Sequence, residues 1–234
     1  MAGYREHISV SGMLGVGYGL GAAFAFGFTP VQSALAGCLT GVAGMLPDLD
    51  SQSGRPVREL FSLVGAVVPI VLMERIVEFA GSHEGTMLAS ILLYAAIRFG
   101  GAAVLGKLAV HRGMFHSIPA LLIAAQITFL CYKSDDLQVK LLMSTGVALG
   151  FLSHLILDEM YSVEWSGIRL KLNKAAGSAV KMFGKGVRAN LVAYGLLVFV
   201  TYASLVDAGL VQMQHTDQIK QLLRQADQVG PSHR

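Results

Sequence analysis

Apolar residues fall into long runs, and polar residues gather in short stretches between them. The runs are Ile8–Phe28, Val31–Leu46, Leu60–Ala80, Thr86–Leu105, Ser117–Tyr132, Leu141–Leu157 and Ala189–Val206. A membrane-crossing helix needs about 20 mostly apolar residues, so the pattern predicts an all-α, polytopic membrane bundle of about seven spans. The first run carries no charge, and Gly12, Gly15, Gly17, Gly19 and Gly21 would let neighbouring helices approach its backbone closely. A cleaved leader is the rival reading of this run. The segment before it has only Arg5, offset by Glu6, and the run exceeds a leader's apolar length, so an uncleaved span is expected. Pro30 punctuates the first two runs, Glu74, Arg75 and Glu78 crowd the end of the third, and Arg98, Gly100 and Gly101 interrupt the fourth. No internal repeat is visible. The pattern reads as one membrane-embedded domain, 1–211, and a polar tail, 212–234, where Ile219, Leu222 and Leu223 suit a short amphipathic helix.

Composition agrees with the runs. The chain is 53% hydrophobic and only 14% charged, with a mean hydropathy of +0.57. Soluble domains carry about 25% charged residues, so too few groups are available to face water. Disorder, a collagen-like fibre and a disulfide-stapled secreted module are excluded. A net charge of +3, with basic residues scattered or confined to one loop, argues against specific nucleic-acid binding. Cys38 and Cys131 lie inside apolar runs without C-x-x-C spacing and read as small buried hydrophobes.

Seven alternating spans give an orientation. With the N-terminus inside, segments 1–7, 47–59, 98–116 and 158–188 face the cytoplasm and hold twelve Lys and Arg, against six on the other side. That bias obeys the positive-inside rule and predicts an integral protein of the cytoplasmic (inner) membrane.

Four polar clusters then stand out at the predicted cytoplasmic span ends: His7; Pro47-Asp48-Leu49-Asp50; His111-Arg112-Gly113-Met114-Phe115-His116-Ser117; and His154-Leu155-Ile156-Leu157-Asp158. His154 and Asp158 are four apart, so a helix puts both on one face, as two ligands of one ion or as a hydrogen-bonded packing pair. An ionisable group inside an apolar run is costly and points to function. Asp48 and Asp50 share a face of an extended segment, or belong to an acidic turn. His111 and His116 would need a turn at Gly113 to meet, and Ser117 is a predicted helix N-cap. Neutral histidines and aspartates suit Zn²⁺, Mn²⁺ or Fe. His83, His215 and His233 lie away from these ends and read as surface residues.

The three longer clusters, in this order, resemble the YdjM-like family of inner-membrane, metal-dependent hydrolases, over roughly residues 5–165, and His7 resembles the family's early histidine. That family is distantly similar to zinc-dependent phospholipases C and related single-strand nucleases. The resemblance implies His7, Asp48, Asp50, His111, His116, His154 and Asp158 as metal ligands, with one to three ions, zinc foremost. Ser51 stands where many relatives have a histidine, and the stretch after Asp158 is longer and more basic than theirs.

A metal centre of this kind implies hydrolysis, in which the ion lowers the pKa of bound water and polarises the bond under attack. Asp48 or Asp50 would act as general base, and Arg112 would stabilise an anionic oxygen or anchor at anionic lipid. The basic stretch 164–188 would attract an anionic headgroup or simply set topology. At a membrane surface the expected partners are lipids, and the expected substrate is a phospholipid or another amphiphilic phosphoester. Metal transport and a non-enzymatic partner with a structural metal are the alternatives. Transport sites usually sit at the bilayer midplane, whereas these clusters sit at span ends.

Overall fold

The computed structural model describes residues 3–50, 55–101, 103, 115–161, 163–166, 169–172, 182–183 and 186–211. The predicted His111 and Arg112, and the tail from Gln212, lie outside the described residues, as do the side chain of Asp50 and most of the basic stretch. Among the described residues the helices are α1 (Tyr4–Phe24), α2 (Pro30–Ala43), α3 (Arg55–Val71), α4 (Met73–Ala80), α5 (His83–Ala95), α6 (Ile118–Cys131), α7 (Leu137–Tyr161) and α8 (Val187–Asp207). A 3₁₀ turn, Leu46–Asp50, follows α2, and a π-helical turn, Ala96–Gly100, continues α5. The architecture is helical, as expected. One departure from the all-α reading is a short antiparallel hairpin, β1 (Val163–Ser166) with β2 (Arg169–Leu172), which pairs Val163 with Leu172 inside the basic stretch.

Local chemistry sets the boundaries. Pro30 occupies the first turn of α2, where a missing N–H costs nothing, and Thr29 caps it reciprocally. Its Oγ1 accepts from the Gln32 amide at 3.3 Å, while Gln32 Oε1 accepts from the Thr29 amide at 3.1 Å. Ser117 caps α6 by accepting from the Ala120 amide at 3.3 Å, the N-cap role its sequence position predicted. Gly81, at φ +66°, ends α4 in the left-handed region.

α1, α2 and α7 form the centre of the molecule. Ala22, Ala36, Leu39, Ala43, Val139, Leu142, Met143 and Val147 fill their shared core, and α6 adds Leu121 against Phe151 and Leu155. The α1–α2 contact is backbone on backbone. A Cβ on Gly19 would lie 2.8 Å from the Ser33 carbonyl oxygen, and one on Gly37 would lie 2.6 Å from that of Gly15. Gly12, Gly17 and Gly21 would meet nothing, so only part of the predicted glycine face packs. Cys38 is exposed and Cys131 half-buried, which corrects the reading of both as buried; Cys38 sits on the outer side of α2.

At the pole where α1 ends and α7 begins, polar ties hold the periphery. Arg75 donates to the carbonyls of Cys131 (3.1 Å) and Leu130 (2.6 Å), capping the last turn of α6. Lys133 pairs with Glu78, and Lys140 pairs with Asp207 at the end of α8 while lying over the Phe129 ring.

The span count falls below the expected seven. Among the described residues, two helices are long and apolar enough to cross a membrane, Leu137–Tyr161 and Asn190–Asp207, or three if the bent pair Arg58–Val71 and Met73–Ala80 counts as one. The reasons are physical. α2 and α6 have 14 residues each, about 21 Å of helix against a hydrocarbon core of about 30 Å. Glycines and His7 dilute the hydropathy of α1. The predicted third run bends by 65° between α3 and α4, where Pro69 removes an N–H from the last turn of α3. With fewer spans, the alternation that put the N-terminus in the cytoplasm no longer follows.

Candidate metal centre

Four chain segments meet at the opposite pole, where α1 begins, α2 ends, α6 begins and α7 ends. They bring together His7, Asp48, His116, His154 and Asp158. α7 supplies His154 and Asp158 one turn apart. His7 comes from the first turn of α1, Asp48 from the 3₁₀ turn, and His116 from the residues just before the Ser117 cap. The 3₁₀ turn exists because Pro47 cannot continue α2 as a helix, so the chain tightens and carries Asp48 toward α7.

Four ligand atoms form an alternating ring of imidazole and carboxylate. His116 Nε2 lies 3.8 Å from Asp48 Oδ1 and 3.7 Å from Asp158 Oδ2. His154 Nε2 lies 3.7 Å from Asp48 Oδ1 and 3.6 Å from Asp158 Oδ2. These separations are too long for hydrogen bonds. Ligands 2.0–2.2 Å from a tetrahedral ion sit about 3.3–3.6 Å apart, so each of these four edges is close to that spacing, and Asp48, His116 and His154 offer ligand atoms all within 4.8 Å of one another.

Backbone fixes the orientation of His154. Its Nδ1 is 2.7 Å from the carbonyl oxygen of Gly44, a bond in which Nδ1–H donates. Nε2 is then the bare nitrogen; it is buried, has no hydrogen-bond partner, and faces two carboxylate oxygens. Lone pair facing lone pair in a dry site is repulsive, and a cation between them removes the repulsion. This is the imidazole arrangement metal sites use, with one nitrogen tied to an outer partner and the other free for the ion. The donor set therefore fits a divalent transition metal.

His7 occupies the edge of the cluster. Its ring stacks on that of His154 at a centroid distance of 3.6 Å and 9° between planes, and its Nε2 lies 3.2 Å from Asp158 Oδ1. His7, His154 and Asp158 are 3%, 1% and 3% exposed, whereas the side chains of His116 and Asp48 are 13% and 34% exposed. The cluster is sealed on the α1–α7 side and opens past Asp48 and His116. Burial pushes the Asp48 carboxyl up, but the surrounding His116, His154 and His7, in their protonated forms, outweigh it and hold the group below the ordinary carboxylate range.

Asp50 sits at the end of the 3₁₀ turn two residues beyond Asp48, and His111 and Arg112 lie outside the described residues. The Gly44 carbonyl was missed by sequence reasoning, because a backbone acceptor leaves no signature of residue type. Close packing makes it available: a Cβ on Gly44 would run into Ser11, and one on Gly150 into the Thr40 carbonyl. His83 is exposed and belongs to α5, away from this pole, as the sequence suggested.

No curated protein and no solved structure matches the chain. One protein-family model does match, that of the YdjM inner membrane protein, over residues 12–207, a stretch that contains Asp48, His116, His154 and Asp158. The chain belongs to the YdjM inner membrane protein family.

Proposed function

We propose that the protein is a membrane-embedded hydrolase that binds a divalent transition metal, zinc foremost, through Asp48, His116, His154 and Asp158, and acts on an amphiphilic phosphoester. The observation that carries the metal reading is the buried, unpartnered Nε2 of His154, aimed at two carboxylates while Nδ1 is held by Gly44. The hydrolase reading rests on the asymmetry of exposure. Buried residues form one wall, and the half-exposed Asp48 forms the other, where a substrate and water can arrive.

A metal bound here would supply Lewis acidity and water of lowered pKa. The protein's own groups do the rest. The Gly44 carbonyl holds the tautomer and ring plane of His154, and the buried wall excludes water from the α1–α7 side. Asp48, the most exposed carboxylate of the ring, lines the side where water would arrive, and Asp50, two residues on, is the carboxylate left for the general-base role. His111 and Arg112 stand near these residues in the chain and extend the proposal as a further ligand and an oxyanion contact. The proposal places this pole at the cytoplasmic face of the membrane, where anionic lipid headgroups would be at hand.

Elemental analysis of detergent-purified protein beside folded His154→Ala and Asp48→Ala variants tests the centre. Metal in the wild type and its loss from both variants is the expected result. The loaded protein is then screened against phospholipid, polyprenyl-phosphate and nucleotide phosphoesters. Metal binding with every phosphoester left intact would sink the hydrolase and leave a structural ion.

A further inference from the structure

We infer that His7 is not a ligand but the residue that positions one: it holds Asp158 by a hydrogen bond to Oδ1, so that Oδ2 faces the ion. The inference rests on the metal reading above and adds a division of labour within it.

Distance separates the two roles. The four edges of the ring, between Asp48, His116, His154 and Asp158, are 3.6–3.8 Å, beyond hydrogen bonding and near the spacing of atoms around a common ion. The His7 Nε2 to Asp158 Oδ1 distance is 3.2 Å, at the outer limit of a direct hydrogen bond. A nitrogen whose proton is shared with a carboxylate has no lone pair to give a metal; the lone pair of this tautomer is on Nδ1, which is buried without a hydrogen-bond partner and, by the geometry of the ring, points away from Asp158. The two oxygens of Asp158 therefore face different partners, Oδ1 toward His7 and Oδ2 toward His116 and His154.

Ligand arithmetic agrees. His7, His154 and Asp158 are close enough to suggest a second ion, as are Asp48, His116 and His154. Both groups need His154, whose Nδ1 is engaged with Gly44, so it has one nitrogen to offer. An ion in the first group, without His154, would keep only His7 and one oxygen of Asp158. Among the described residues the ligands therefore suffice for one ion, and His7 is left with the outer role. Stacking on the His154 ring fixes His7 in the plane that role requires.

The test is X-ray absorption spectroscopy and metal titration of the full-length, zinc-reconstituted protein beside His7→Gln and His7→Ala. Gln carries an amide N–H close to where His carries Nε2–H. The expected results are two imidazole ligands per ion in the wild type and in His7→Gln, and an affinity within about threefold between them. His7→Ala should keep the two-imidazole signature but bind about 10–100-fold more weakly, the usual effect of losing an outer-shell partner. Three imidazoles in the wild type, or a drop of one in His7→Gln, would overturn the inference while leaving the metal centre standing. Wild-type protein that takes up no metal would overturn both. If His7→Ala fails to fold, the wild-type and His7→Gln spectra decide the question.

Discussion

His154 concentrates the energetics of the site in one side chain. It is 1% exposed, its Nδ1 is committed to a backbone carbonyl, and its Nε2 has no protein partner. Replacing it by Ala leaves the Gly44 carbonyl without its donor and opens a cavity beside the His7 ring. The expected loss is about 2–4 kcal/mol of stability in addition to loss of metal. His154→Asn, whose amide can reach a carbonyl from the Nδ1 position, should recover much of the stability and none of the metal. Thermal melting with elemental analysis of the two variants separates the effects, and metal retained by His154→Asn would contradict the assignment of Nε2 as ligand.

At the level of helices, glycine contacts decide how the four segments reach one point. α1 and α2 pack through Gly15, Gly19 and Gly37, whereas Gly17 and Gly21 face open space. Gly19→Ala should therefore lower the melting temperature by forcing the helices apart. Gly21→Ala, one turn-face away, should leave it unchanged or raise it by the helix-propensity gain of about 0.5–1 kcal/mol. The sequence shows α7 and its i, i+4 pair plainly, because spacing on one helix needs no tertiary knowledge. It also shows the starts of α2 and α6, which Pro30 and Ser117 mark chemically. It does not show that His7 lies against His154, since that depends on two glycine-lined interfaces spanning the whole of α1 and α2. Hydropathy alone overcounts spans for a related reason. An apolar run of 16–21 residues reads as membrane whether it crosses, bends like α3–α4, or packs inside the protein.

For the whole molecule, two poles are tied in different ways. The site pole gathers histidines and aspartates, and the other holds α8 to α7 through Lys140–Asp207 and to α6 through Gln126 and Thr201 at 3.0 Å. Lys140 is almost fully buried and Asp207 partly exposed, so Asp207→Ala strands a buried charge and Lys140→Met does not. Asp207→Ala should cost roughly 1–3 kcal/mol more than Lys140→Met, read by melting in detergent, and equal losses would mean the pair contributes little. At the site pole, metal at 100 times its Kd should raise stability by about 2.7 kcal/mol, and chelation should reverse the shift. Loosening on chelation should appear first as faster amide exchange in the initial turns of α1, which no other described ion pair fastens. The Gly44 anchor has a genetic consequence as well. Because the acceptor is main chain, no side-chain replacement deletes it; a substitution there acts by collision with Ser11. Gly44→Ala should thus behave as a loss-of-function allele that Ser11→Gly suppresses, a pair of changes at distant positions whose fates are linked through the tilt of a single imidazole.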